Sequence, residues 1–141
     1  MKNSSLSPLT KYILGWLPLP GIAIFNGILR ELTYSQVAGD QLAQQISSIL
    51  LSLLVMLYVV LLNSHIQLKS IREYLFAGFV WLLLTMCFEV ILSLAVGTSF
   101  QEQVNNYNIF NGKFWPLVLL SVLLSPSLFR KKTDGNHAHS L

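Results

Sequence analysis

Four stretches of this chain are almost free of charge, and each is bounded by charged or turn-forming residues. Residues 12–29 contain no Asp, Glu, Lys or Arg. Neither do residues 41–68, whose apolar heart is 46–62. Residues 74–101 contain one, Glu89. Residues 114–129 again contain none. A helix that crosses a bilayer needs about 20 mostly apolar residues. Helices satisfy all their backbone polar groups internally, which lipid demands. The runs are too long and too evenly apolar for the alternating strands of an outer-membrane barrel. The chain therefore predicts an all-α integral membrane bundle of four spans, at about 12–30, 44–63, 74–97 and 110–129. The fourth run is only 16 residues long, so its helix is expected to start earlier, near Ile109.

Composition agrees. Of 141 residues, 53% are hydrophobic and 11% charged, against about 25% charged in a soluble domain. No room is left for a sizeable soluble domain; residues 1–130 read as one unit and 131–141 as a disordered polar tail. The net charge of +3 comes from basic residues flanking the apolar runs, which is a topology signal and not a nucleic-acid surface. Lys2, Lys11, Lys69, Arg72, Arg130, Lys131 and Lys132 lie on one side, and Arg30 and Lys113 on the other. The positive-inside rule then places both termini in the cytoplasm, here of a bacterial inner membrane. Trp16 and Trp115 are expected at opposite interfaces as aromatic anchors. The first run lacks a good cleavage site, and Pro18, Pro20, Asn26 and Arg30 argue against a signal peptide.

Local signals mark the boundaries. Ser70 and Glu73 form a capping-box pattern ahead of the third run. Ser99 and Glu102 form another, which predicts a short surface helix over 100–106 before an Asn-rich turn. Gly39-Asp40 is a break with Asp40 as a helix N-cap. Pro18 and Pro20 should bend the first span. The spacing of Ala23 and Gly27 suggests close helix approach.

Polar residues inside the runs are the candidate functional groups. Glu89 lies about 12 Å of helix rise below the end of the third span. A carboxylate at that depth must be paired, protonated or facing water. Thr85, Glu89 and Ser93 recur every four residues and share a face that should point into the bundle. Asn26 and Arg30 share a face at matching depth on the first span. An Arg30–Glu89 ion pair with Asn26 nearby is expected, with lipid phosphate the rival partner for Arg30 through snorkelling. Gln44, Ser48 and Ser52 line one face of the second run. The candidate polar cluster is Asn26, Arg30, Gln44, Glu89 and Tyr107. Such a cluster either fixes packing register or performs the function.

Other chemistry is thin. The lone Cys87 reads as a small buried hydrophobe, and His65 as a solvated loop residue. His137 and His139 are too few for a metal site. Phosphate-loop, zinc-protease, nucleophile-elbow and dinucleotide patterns are all missing, so no cofactor and no catalytic set are expected.

The segments Asn26-Gly27 with Arg30-Glu31, then Phe88-Glu89, then Tyr107-Asn108 with residues 112–120 resemble a family of small four-span bacterial membrane proteins of no assigned activity. The resemblance runs from the first span to the last and implies the same four-span fold. Relatives often carry Asp before the tyrosine and Arg after the glycine, where this chain has Asn106 and Lys113. Three functions are compatible with these features. The first is a non-enzymatic accessory or assembly protein that binds another membrane protein or itself. The second is a small oligomeric transporter or channel using Glu89, and the third an intramembrane enzyme.

Overall fold

The computed structural model describes residues 5–105 and 107–131. Lys2, Asn106, Lys132, His137, His139 and the tail beyond Lys131 lie outside them. Among the described residues every regular element is helical. The elements are α1 (Pro8–Leu14), α2 (Pro18–Leu32), α3 (Ser35–Ala38), α4 (Asp40–His65), α5 (Ile71–Val96), α6 (Phe100–Asn105) and α7 (Trp115–Leu128), with a 3₁₀ turn at Ile109–Asn111. Three stretches, Pro8–Leu32, Asp40–His65 and Ile71–Val96, are helical, long and apolar enough to cross a membrane. Their outward faces carry Phe25, Leu57, Phe76, Ile91 and Leu94, each more than half exposed. An apolar surface this extensive marks a membrane or protein contact.

The first span is broken where its prolines require it. Pro18 and Pro20 have no N–H for the carbonyls of Leu14 and Trp16. Those carbonyls accept instead from Leu17 and Leu19 three residues on, at 3.1 and 2.9 Å. The carbonyl of Gly15 is thereby left without its helical donor, and the Tyr58 hydroxyl of α4 donates to it at 2.5 Å. The chain turns over Gly15–Leu17 and resumes as α2.

The fourth run departs from expectation. It does not start near Ile109. Gly112 sits at φ 76°, in the left-handed region, and ends the 3₁₀ turn. The helix begins only at Trp115, with Pro116 in its first turn. At 14 residues it is about 21 Å long. Asp40 is not a cap either. Gly39 takes that position, and Asp40 opens α4 with its carboxylate accepting from Ser35 Oγ at 3.1 Å. One of the two capping boxes forms in full and the other in half. Ser99 and Glu102 bond reciprocally at 3.1 and 3.3 Å. Glu73 N–H donates to Ser70 Oγ, while the Glu73 carboxylate takes the Lys69 N–H. His65 is the exposed last residue of α4, and Cys87 is exposed, not buried.

Helix α7 packs along both α4 and α5, and α2 packs on α4. Helix α1 reaches across to α5, whereas α2 makes no extended contact with it. The two ends of the bundle differ accordingly. At the basal end, near Ser7, the 66–70 connection and Phe129, Tyr12 is fully buried. Its ring stacks on Trp81 at 5.3 Å and meets Tyr74 edge-on at 5.7 Å. Its hydroxyl donates to Asn63 Oδ1 at 2.7 Å, and Asn63 Nδ2 donates to the Pro126 carbonyl at 3.3 Å. That carbonyl belongs to the last turn of α7, where no intrahelical donor remains.

Close helix approach occurs at Gly78, not at Gly27. A Cβ on Gly78 would lie 2.2 Å from the Leu123 carbonyl of α7, while one on Gly27 would meet nothing within 4 Å. Gly78→Ala must push α5 and α7 apart and should cost about 1–3 kcal/mol. Gly27→Ala should instead be neutral or stabilise by about 0.5–1 kcal/mol through helix propensity. Thermal unfolding of both variants in micelles checks this; equal melting temperatures would contradict the Gly78 contact.

Candidate functional site

Because α1 holds α5 at the basal end and α2 leans onto α4, a cavity of about 700 Å³ opens between α2 and α5 towards the other, loop-bearing end. Trp16 and Thr85 close its floor. The Trp16 indole N–H donates to Thr85 Oγ1 at 3.0 Å, and its ring meets Phe88 edge-on at 6.3 Å. Leu19, Leu51, Val55, Leu92, Val118 and Val122 give it apolar walls. Ile28, Leu92 and Val96 line it and are also exposed. Its mouth therefore opens sideways, between helices, as well as towards the connections.

Asn26, Arg30, Gln44 and Glu89 all line this cavity, with Glu31 and Lys113 beside them. Thr85, Glu89 and Ser93 all face it, as their spacing predicts. Tyr107 joins through its hydroxyl, which donates to Glu89 Oε2 at 2.7 Å. The partners, however, are not those expected. Arg30 does not pair with Glu89. Its Nε and Nη2 both donate to Glu31 Oε1, at 3.0 and 2.8 Å, in the one salt bridge among the described residues. An adjacent carboxylate is available without crossing the bundle, whereas the cavity separates α2 from α5. Trp16 and Trp115 both line this cavity.

Asn26 is buried, and its Nδ2 donates to the Ser47 hydroxyl at 2.7 Å and carbonyl at 3.1 Å. This bond fastens α2 to α4. The Asn26 Oδ1 and the Trp115 indole N–H have no partner among the described residues. Gln44 Oε1 accepts from Lys113 Nζ at 2.8 Å. Gln45 and Gln41, one turn of the same face, donate to the carbonyls of Gly112 and Asn111 at 2.9 and 3.4 Å. Three glutamines on α4 thus seat the connection that carries Lys113 into the cavity. Gly112 is suited to this position by its positive φ. Sequence reasoning named Gln44 but missed Lys113, Gln41 and Gln45 as site residues. The repeat at 41, 44 and 45 on one helix face was the available signal.

No family model, curated protein or solved structure matches this chain.

Burial, and then Glu89, push the Tyr107 phenol well above its usual 10.0. A group that holds its proton more tightly when folded stabilises the fold below its unfolded pKa, and that contribution is lost as pH rises past it. Tyr107→Phe should therefore lower stability by on the order of 1 kcal/mol at neutral pH. The gap to the parent should narrow as the pH climbs above 10, as followed by thermal unfolding across that range. A gap independent of pH would disconnect the phenol from the fold.

Proposed function

We propose that this chain is a non-enzymatic four-span protein of a bacterial cytoplasmic membrane, with both termini inside, and that its cavity holds an amphipathic guest drawn from the bilayer. The observation that carries this reading is the side-opening cavity, apolar along its walls and charged at one end. Its volume falls within the range of about 300–1,000 Å³ typical of small-molecule sites. A guest with an apolar body and a polar head matches both parts and reaches the mouth without leaving the membrane plane. The accessory role expected from the sequence thereby acquires an object, a guest presented to or kept for another membrane protein.

Four spans are supported by α7, which packs along α4 and α5 and is followed by Arg130 and Lys131. The N-in, C-in orientation rests on the basic residues near the basal end. A transporter or channel formed by one copy of the chain is disfavoured. Tyr12, Asn63, Trp81 and Pro126 are fully buried at the basal end and close the way through.

Topology is checked with Cys87→Ser as background and single cysteines at positions 67 and 101. An impermeant thiol reagent should label position 101 in intact spheroplasts and position 67 only after permeabilisation. The reverse pattern would invert the bundle. Guest binding is read from tryptophan fluorescence in vesicles, with Trp16→Phe and Trp115→Phe identifying the cavity signal. Lipids brominated on the acyl chain should quench that signal strongly. Quenching by aqueous acrylamide, with no effect of brominated lipid, would mean a water-filled cavity and would sink the lipid-guest reading.

A further inference from the structure

The charges around the cavity are balanced in sum but not in pairs. Arg30 and Glu31 neutralise each other. Lys113 and Glu89 line the same cavity, yet among the described residues neither has an oppositely charged partner. Lys113 has only the neutral amide oxygen of Gln44. Glu102 shares a small recess with Lys113 but forms no salt bridge with it, and one of its oxygens accepts the Ser99 N–H of its own helix cap. Glu89 accepts the Tyr107 hydroxyl on one of its two oxygens and has the Trp115 indole beside it, and neither neighbour is charged. Charges in apolar surroundings are costly without a counter-charge. An anionic head would satisfy Lys113 and repel Glu89, and a cationic head would do the opposite. A head carrying both charges satisfies both.

We propose that the cavity selects a zwitterionic phospholipid whose head ends in a primary ammonium, with its phosphate at Lys113, its ammonium at Glu89 and its acyl chain along the apolar wall between α2 and α5. The choice of a primary ammonium follows from the acceptors present. Asn26 Oδ1 has no donor among the described residues, and Tyr107 takes only Oε2 of the Glu89 carboxylate. An ammonium with N–H groups supplies donors that a quaternary one lacks, and charge-assisted bonds of this kind are the strong ones. This inference rests on the lipid-guest reading above and deepens it to a head-group class.

The test uses the full chain in vesicles and the fluorescence signal of Trp16 and Trp115. The probes are lipids with identical brominated chains and four heads: ethanolamine, its N,N-dimethyl form, choline and glycerol. The ethanolamine lipid should occupy the cavity about tenfold more tightly than the choline lipid, with the dimethyl form between them and the anionic glycerol lipid not preferred. Glu89→Gln should remove the preference for ethanolamine over choline while leaving chain quenching intact. Lys113→Gln should weaken all four lipids alike. Equal quenching by ethanolamine and choline lipids in the parent chain would overturn the head-group assignment but leave the lipid-guest reading standing. So would preference for the glycerol lipid, or discrimination that survives Glu89→Gln. Absence of quenching by every brominated lipid would overturn both. The series of heads is read on the unaltered chain, so a variant that fails to fold leaves the test decisive.

Discussion

The bundle depends on Tyr12. From α1 its ring stacks on Trp81 and abuts Tyr74 of α5, and its hydroxyl bonds to Asn63 of α4. Asn63 in turn reaches the last turn of α7. One side chain thus ties the first helix to all the others at the basal end. For helices in lipid, association has little hydrophobic driving force, because lipid tails are as apolar as leucine. Close packing and interhelical hydrogen bonds must supply it. The Tyr12 cluster does so on one side of α5, and Gly78, between Tyr74 and Trp81 on the same helix, does so where α5 touches the Leu123 carbonyl of α7.

A bundle locked at one end is free to differ at the other. The prolines at 18 and 20 break the first span just beyond Tyr12, and Tyr58 accepts the consequence by bonding the released Gly15 carbonyl. Beyond the break, Asn26 fastens α2 to α4 through Ser47. Nothing comparable draws α2 to α5, and the cavity is the space between them. Its position in the chain is therefore a joint product of a proline break, an asparagine clasp and a tightly held base.

Charge placement follows from the same geometry. Arg30 and Glu89 have similar depth on paper, and both reach the cavity. The cavity keeps them on separate walls, so Arg30 bonds its neighbour Glu31 and Glu89 bonds Tyr107. Depth along a helix is legible from residue counting, because each residue rises a fixed amount. Partner choice across helices is not, because it depends on helix separation and on which local competitor lies nearer. The same limit explains Trp16. It lies about one turn into the first apolar run, and the turn over Gly15–Leu17 brings its indole onto Thr85. The fourth helix is shorter than its apolar run suggests for a related reason. Residues 109–111 are apolar enough to count as span, but Gly112 in the left-handed region ends their turn before the helix proper begins.

By itself the sequence determined the helical class, the places of the apolar runs, the Ser70 cap, and the capping box and short helix that begin at Ser99. It also pointed to Asn26, Arg30, Gln44, Glu89 and Tyr107 as polar groups of one end. These are local properties, set by hydrophobic length, helix periodicity and the hydrogen-bonding habits of single residues. Only the tertiary structure decided that Arg30 and Glu89 stay apart, that Lys113 enters on a connection seated by Gln41, Gln44 and Gln45, and that a side-opening cavity lies among them. Those features arise from how far one helix stands from the next, which depends on contacts such as Tyr12–Asn63 and Gly78–Leu123 between residues remote in the chain.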